Sequence, residues 1–254
     1  MTAVIRLEAV TLRYRIPREA IRSLKEYAIR RIQRRVAYDD FDALQAIDLE
    51  IVAGERVGVI GRNGAGKSTL FRVISRVLPP FRGRVYVAGR IAPILELGLG
   101  FHGELTGREN IMLQSALLGY SRAETRRRLD RIVEWAELQD FIDAPIRTFS
   151  TGMSARLAFA VATDVDPDIL LVDEALSVGD EKFRRKCHER MDGLRERGKT
   201  FMLVSHTASQ IVENCDRVIW LHHGRIVRDG PAAEVTEAYH QWSLGETDVV
   251  DSGR

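Results

Sequence analysis

Cysteine is almost missing from this chain. Cys187 and Cys215 are the two in 254 residues, far apart and without metal-like spacing. That argues against a disulfide framework and leaves reduced, structural thiols in the cytoplasm as the expectation. No uncharged apolar run reaches the ~18 residues that would mark a membrane span. The opening, Met1-Thr2-Ala3-Val4-Ile5-Arg6-Leu7, lacks the basic start, apolar middle and small-residue cleavage site of a signal peptide. Internal repeats and low-complexity linkers are missing too. What remains is ordinary globular composition, 45% hydrophobic and 29% charged with net charge +2. The length suits one domain at its upper edge, or one domain with a subdomain.

Against that plain background one stretch stands out. Gly61-Arg62-Asn63-Gly64-Ala65-Gly66-Lys67-Ser68-Thr69 fits Gly, four residues, Gly-Lys-Ser/Thr, a phosphate-binding loop. The run before it, Arg56–Ile60, is short, apolar and β-branched like a buried strand. The run after it, Leu70–Leu78, has helical spacing and stops at Pro79-Pro80. Glycines here let backbone N–H groups turn inward and approach phosphate oxygens without an intervening Cβ. The helix starting near Lys67 points its positive end at the same anion. Lys67 is expected to reach the β- and γ-phosphates, Ser68 to ligate Mg²⁺, and Thr69 to support a neighbouring phosphate oxygen. Gly61, Asn63, Gly64, Ala65 and Gly66 complete the expected nucleotide cradle.

Coarse organisation follows from periodicity. Val4–Tyr14 alternates like a strand with Val10, Leu12 and Tyr14 on one face, and Ile47–Val52 reads as a second strand. Arg84–Val87 and Ile91–Leu95 read as short strands around Gly89. From about Leu105 to Phe141 the pattern is helical and charged. From Ser154 onward, helices alternate with the apolar runs Ile169–Val172, Thr200–Val204 and Val218–Leu221, and Gly224 and Gly230 punctuate a hairpin-like end. The fold class is therefore α/β with an inserted helical subdomain.

Three further constellations bear on chemistry. Asp168–Glu174 puts Asp173 and Glu174 at the end of an apolar strand, where ligands bind in open α/β sheets. Asp173 suits Mg²⁺ and Glu174 suits a general base, a role typically worth ~10²–10⁴ in rate. Phe149-Ser150-Thr151-Gly152-Met153 precedes a predicted helix, as an anion site or as simple capping by Ser150 or Ser154. Ser205-His206 ends another apolar run, where an imidazole could hydrogen-bond a γ-phosphate.

In this order and spacing, the segments resemble the ATP-binding subunit of ABC transporters, from about Ile5 to Val235. The resemblance implies a P-loop NTPase core with an antiparallel β subdomain and an inserted α-helical subdomain. It implies an ABC ATPase domain over residues 1–244, with an insert at about 17–37 and a helical subdomain at about 98–155, then a polar tail or linker at 245–254. It also implies ATP and Mg²⁺ as cofactors, Glu174 and His206 as catalytic residues, and a homodimer closing around two ATP. Ser150 and Gly152 would then contact the partner's γ-phosphate, Asp180 would lie in a coupling loop, and Tyr14 would stack on adenine. The family signature usually reads Leu-Ser-Gly-Gly-Gln; here Phe149, Thr151 and Met153 depart from it. The usual Gln is replaced near Glu96, an acid that can still take Mg²⁺ or water but donates no hydrogen bond when ionised.

These departures are themselves similar to the ATPase of bacterial polysaccharide exporters, as in Leu95–Phe101, Glu104–Asn110, Phe149–Arg156 and Glu174–Asp180. That branch implies integral-membrane permease subunits, a lipid-linked glycan substrate, and a peripheral place on the cytoplasmic face of the inner membrane. The insert fits: Ile21, Leu24, Ala28, Ile32 and Val36 recur at helical spacing among Arg18, Arg22, Lys25, Arg30, Arg31, Arg34 and Arg35. Such a basic amphipathic helix suits anionic head groups, the permease or both; a solvated helix with one buried stripe is the other reading. A DNA- or ribosome-acting ATPase is the alternative. The interval 80–148 is too short for a long coiled coil and one phosphate loop is present, so no nucleic acid is expected. A non-hydrolysing, ATP-gated module is a third reading, opposed by Glu174 and His206.

Overall fold

The computed structural model describes residues 2–17, 38–94, 100–164, 166–173, 181–205 and 207–245. Two sheets organise the chain. The first is antiparallel, with β1 (Ala3–Pro17) between β2 (Tyr38–Val52) and β4 (Arg82–Val87). The second has the order β5 (Ile91–Ile94), β6 (Ile169–Asp173), β7 (Thr200–Val204), β3 (Arg56–Ile60), β8 (Arg217–His222), β9 (Arg225–Pro231). It is parallel except for β9, which closes a hairpin with β8. The strands predicted on either side of Gly89 thus belong to different sheets, because the chain passes from one layer to the other there. Gly89 holds φ 102° against Asp168, where a Cβ would lie 2.8 Å from the Asp168 Cβ.

Both β1 and β2 are longer than their alternation suggests. In β1, Ile5 and Leu7 are buried at odd positions but Val10 and Leu12 at even ones. A strand alternates with period two, so the face can change parity only at an irregularity. The register shifts between Leu7 and Val10, and Ala9 takes φ 45° there. β2 answers with Ala46 at φ 48°, between buried Leu44 and buried Ile47. The paired bulges keep both strands facing one core, and they aim Tyr14 to the same side.

That core lies between the sheets and takes in α1 (Lys67–Ile74) through Leu70, Phe71, Val73 and Ile74. The opposite face of the parallel sheet is covered by α5 (Glu181–Glu196), α6 (Ala208–Asn214) and α7 (Ala232–Ser243). Cys187 and Cys215 are buried there as free thiols, and burial pushes both up to about 12, which keeps them protonated and inert. The helical lobe consists of α2 (Gly107–Leu117), α3 (Arg122–Ala136) and α4 (Thr151–Asp164) around Ile111, Leu129, Ile132 and Leu157. α4 starts three residues earlier than its apolar pattern suggests, because Ser150 caps it. Trp135 joins lobe to sheet, stacking on Phe159 at 5.5 Å and meeting Phe183 edge-on at 5.2 Å.

Candidate functional site

β3 runs in the middle of the parallel sheet, with Val57, Val59 and Ile60 buried, and delivers the phosphate loop to the sheet's carboxyl edge. The loop ends at Gly66, the N-cap of α1, with φ 108°. No side chain caps α1 and its first turn contains no acid. The positive end of the helix is therefore left to an outside anion. Lys67 is 7% exposed, and its Nζ donates to the carbonyls of Gly61 at 2.7 Å and Arg62 at 3.2 Å. The lysine thus folds back over its own loop and holds a charge at the loop's mouth.

The glycines act for different reasons than sequence suggests. A Cβ on Gly66 would lie 2.7 Å from the Ala43 carbonyl oxygen, and one on Gly61 would collide with the carbonyl of Leu221. Those two positions are kept bare by neighbouring chain. Of the loop's three glycines, Gly64, φ 81°, is the one where a Cβ would meet open space, which is where an approaching phosphate gains room.

A cleft of about 370 Å³ opens over this loop, lined by Tyr14, Phe41, Asn63, Gly64, Gly66, Lys67, Ser68, Thr69 and Asp173 with Ala43 and Val204. Asp173 ends β6, one strand removed from β3 across β7, and still reaches the loop: Ser68 Oγ donates to Asp173 Oδ2 at 3.1 Å. A hydroxyl and a carboxylate side by side are hard oxygen donors of the kind that Mg²⁺ takes, so this pair fits the ion. Gly61 and Ala65 do not line the cleft. Ala65 is buried, donates to Arg62 O at 3.1 Å and accepts from Gly224 N at 3.0 Å.

Sequence reasoning misses Phe41. It is 53% exposed and lies directly across the ladder from Tyr14, and side chains of such opposed residues share a face at contact distance. The signal is present in the charges: Arg13-Tyr14-Arg15 opposes Asp42-Phe41-Asp40. Arg13 Nε lies 2.6 Å from Asp42 Oδ1 and Arg15 Nε 3.2 Å from Asp40 Oδ1. The Arg13 hydrogen bond holds the Asp42 carboxyl below the usual carboxylate range. The two ion pairs thus fix the aromatic pair between them.

Ser150 and Gly152 do not line this cleft; they open α4 in the helical lobe. Ser150 Oγ accepts from Met153 N at 3.2 Å, and Ser150 O from Ser154 N at 3.0 Å, so the simple capping reading is realised within this chain. Gly152 has nothing nearer to an added Cβ than Ser150 Oγ at 3.8 Å. Arg156 points inward, its guanidinium 4.8 Å over the Phe183 ring. Glu96, Glu174, Asp180 and His206 lie outside the described residues, as do most of the basic insert and of the polar tail. Among the described residues no group of three or more His, Cys, Asp or Glu side chains is placed to hold a metal, and no helix is long and apolar enough to cross a membrane.

Comparison with known proteins places this geometry. The profile of the ABC transporter family matches residues 44–177. The O-antigen export system ATP-binding protein RfbB of Myxococcus xanthus is 48% identical over 199 residues, 78% of this chain and 46% of that protein. RfbB of Klebsiella pneumoniae is 47% identical, over 78% of this chain and 81% of that protein. The teichoic acids export ATP-binding protein TagH of Listeria monocytogenes is 42% identical, over 80% of this chain and 60% of that protein. The chain thus spans less than two thirds of some of its curated relatives. Among solved structures, a dimeric post-hydrolysis state of the ATP-binding cassette MJ0796 bound to ADP and Pi superposes with a TM-score of 0.70 at 25% identity, over 90% of this chain and 98% of that one. The fold is that of an ABC ATPase cassette, and the chain belongs to the ABC transporter family.

Proposed function

We propose that this chain is the ATP-binding and hydrolysing subunit of an ABC exporter that drives a lipid-linked polysaccharide across the cytoplasmic membrane. The observation that carries the reading is the cleft itself, which joins an uncapped helix start, a buried lysine, a hydroxyl–carboxylate pair and an aromatic pair at one sheet edge. Tyr14 and Phe41 would receive the adenine, the Gly61–Thr69 loop and Lys67 the phosphates, and Ser68 with Asp173 the Mg²⁺. That ion, when bound, supplies charge neutralisation at the β- and γ-phosphates.

Glu174 follows Asp173 directly in the sequence and would take a proton from the attacking water, and His206, two positions after the last residue of β7 in the sequence, would contact the γ-phosphate. Ser150 and Gly152 lie outside their own chain's cleft, which suits contact with ATP held by a second copy. The dimeric state of the MJ0796 cassette supports that reading. The export assignment, the permease partners and a peripheral place on the inner face of the membrane rest on similarity to proteins named for O-antigen and teichoic acid export.

A Glu174→Gln variant tests the chemistry. It is expected to bind ATP and dimerise while turning over ~10²–10⁴ more slowly; turnover at the wild-type rate removes Glu174 as the base. The transport half is tested by recovering the tagged chain from its membranes in mild detergent. A polytopic membrane protein in near-equal amount is expected, and ribosomal or DNA-repair proteins in its place would remove the exporter reading.

A further inference from the structure

The helix α7 reaches the phosphate loop, a contact made from outside the residues that the family profile matches. Near the end of α7, Trp242 presents its ring to Arg62, whose guanidinium carbon lies 4.6 Å from the ring centroid. Arg62 is part of the phosphate loop itself. Its carbonyl accepts from Lys67 Nζ at 3.2 Å and from Ala65 N at 3.1 Å, so a shift of Arg62 moves the lysine's own support.

Trp242 is itself held from behind. It packs on Trp220 at 5.2 Å and on His222 at 4.9 Å, and Tyr239 closes the group at 5.5 Å from Trp220. Trp220 lies on β8, directly paired with Ile60 at the last residue before the loop. The far side of the loop is tied to the same hairpin by Gly224 N donating to Ala65 O. An exposed guanidinium over an indole is worth ~0.5–1 kcal/mol, and Trp is the ring that holds it best.

We propose that Trp242 is a positioning residue for the nucleotide site, holding Arg62 and with it the loop carbonyls that orient Lys67. This rests on the reading of the cleft as an ATP site. α7 then acts as a strut whose attachment to the loop sets how well the cradle is formed before phosphate arrives. The direction of influence is reciprocal, because any ligand that favours the seated loop also favours the seated helix.

The test is a double-mutant cycle on the full chain, reading MgATP affinity by calorimetry beside thermal stability in the absence of nucleotide. Trp242→Ala and Arg62→Ala are each expected to weaken MgATP binding about two- to fivefold, the fold-change equivalent of one such contact. The double variant should bind no more weakly than either single one, since the pair acts as a unit. Trp242→Phe, which keeps an aromatic face, should recover most of the affinity. Val235→Ala, a buried position near the start of α7 and outside the aromatic group, is the control for helix packing, lowering the melting temperature while leaving affinity in place. Additive losses, or a lowered melting temperature with wild-type affinity in Trp242→Ala, would overturn the proposal. A wild-type chain that does not bind MgATP at all would instead remove the reading of the cleft, and this inference with it.

Discussion

Two helices of the helical lobe, α2 and α3, start in the opposite way to α1, the helix after the phosphate loop. In the helical lobe, α2 and α3 each carry a complete capping box. Thr106 accepts from Glu109 N while Glu109 accepts in return from Thr106 N, and Ser121 and Glu124 do the same. Their exposed N–H groups and dipoles are satisfied by their own chain. In the sheet lobe, α1 starts on a left-handed glycine with no side-chain cap and no acid in its first turn. By local stability alone that start is poorer. The difference shows where the molecule completes itself and where it waits for a ligand. α4 lies between the two cases, since Ser150 caps it but no acid follows in its first turn.

The largest effect should come from removing the charge at the open helix start. Lys67→Ala is expected to lower ATP turnover by on the order of 10²–10³, the usual cost of losing one preorganised electrostatic contact. Steady-state ATPase assays at saturating Mg²⁺ read this, and a rate within a few-fold of wild type would mean that the cleft does not work as described.

A sharper break converts α1 into a helix of the other kind. Thr69→Glu places an acid at the third helical position, where Glu109 and Glu124 stand in α2 and α3. The apo protein should melt no lower, because an acid in the first turn is worth ~0.3–1 kcal/mol. MgATP affinity should fall at least about tenfold, since the new charge meets the phosphates at a few ångströms. Equal affinity would show that the anion does not approach this end of the helix.

The smallest effect belongs to the self-satisfied ends. Thr106→Ala or Ser121→Ala should each cost ~1 kcal/mol of stability with MgATP affinity unchanged, as read by urea unfolding and calorimetry. These ends should also respond to acid. Hydrogen bonds from Thr106 and Ser121 hold Glu109 and Glu124 below the usual carboxylate range. A carboxyl depressed in the fold stabilises above its unfolded pKa, and that contribution is lost as pH falls through the folded value. The stability gap between wild type and Glu124→Gln should therefore close on acidification. A gap that widened would contradict the cap.

Most of what lies within one short segment is legible in the sequence alone. The phosphate loop is nine consecutive residues between a β-branched run and a helical one, so its strand–loop–helix form and the placing of Lys67 follow from local chemistry. The apolar run 169–172 ending in Asp173 is equally plain, because a buried strand and its terminal acid need no distant partner to be recognised. The start of α4 reads three residues too late, since its first turn, Thr151-Gly152-Met153, looks like loop until Ser150 is seen to cap it.

What only the tertiary structure decided depends on partners far apart in the chain. Ser68 meets Asp173 across an intervening strand, and Tyr14 meets Phe41 because, after the bulges at Ala9 and Ala46 offset one another, the register shifts once more between Leu12 and Arg13. Gly61 and Gly66 are bare because Leu221 and Ala43 crowd them, a reason that no local pattern contains. Arg62 and Trp242 come into contact from 180 positions apart through the β8 hairpin and α7. Sequence alone determined the short-range terms, which are set by backbone torsion, alternation and capping within a few residues. The long-range terms depend on register and packing density, which exist only once the sheets have closed on their common core.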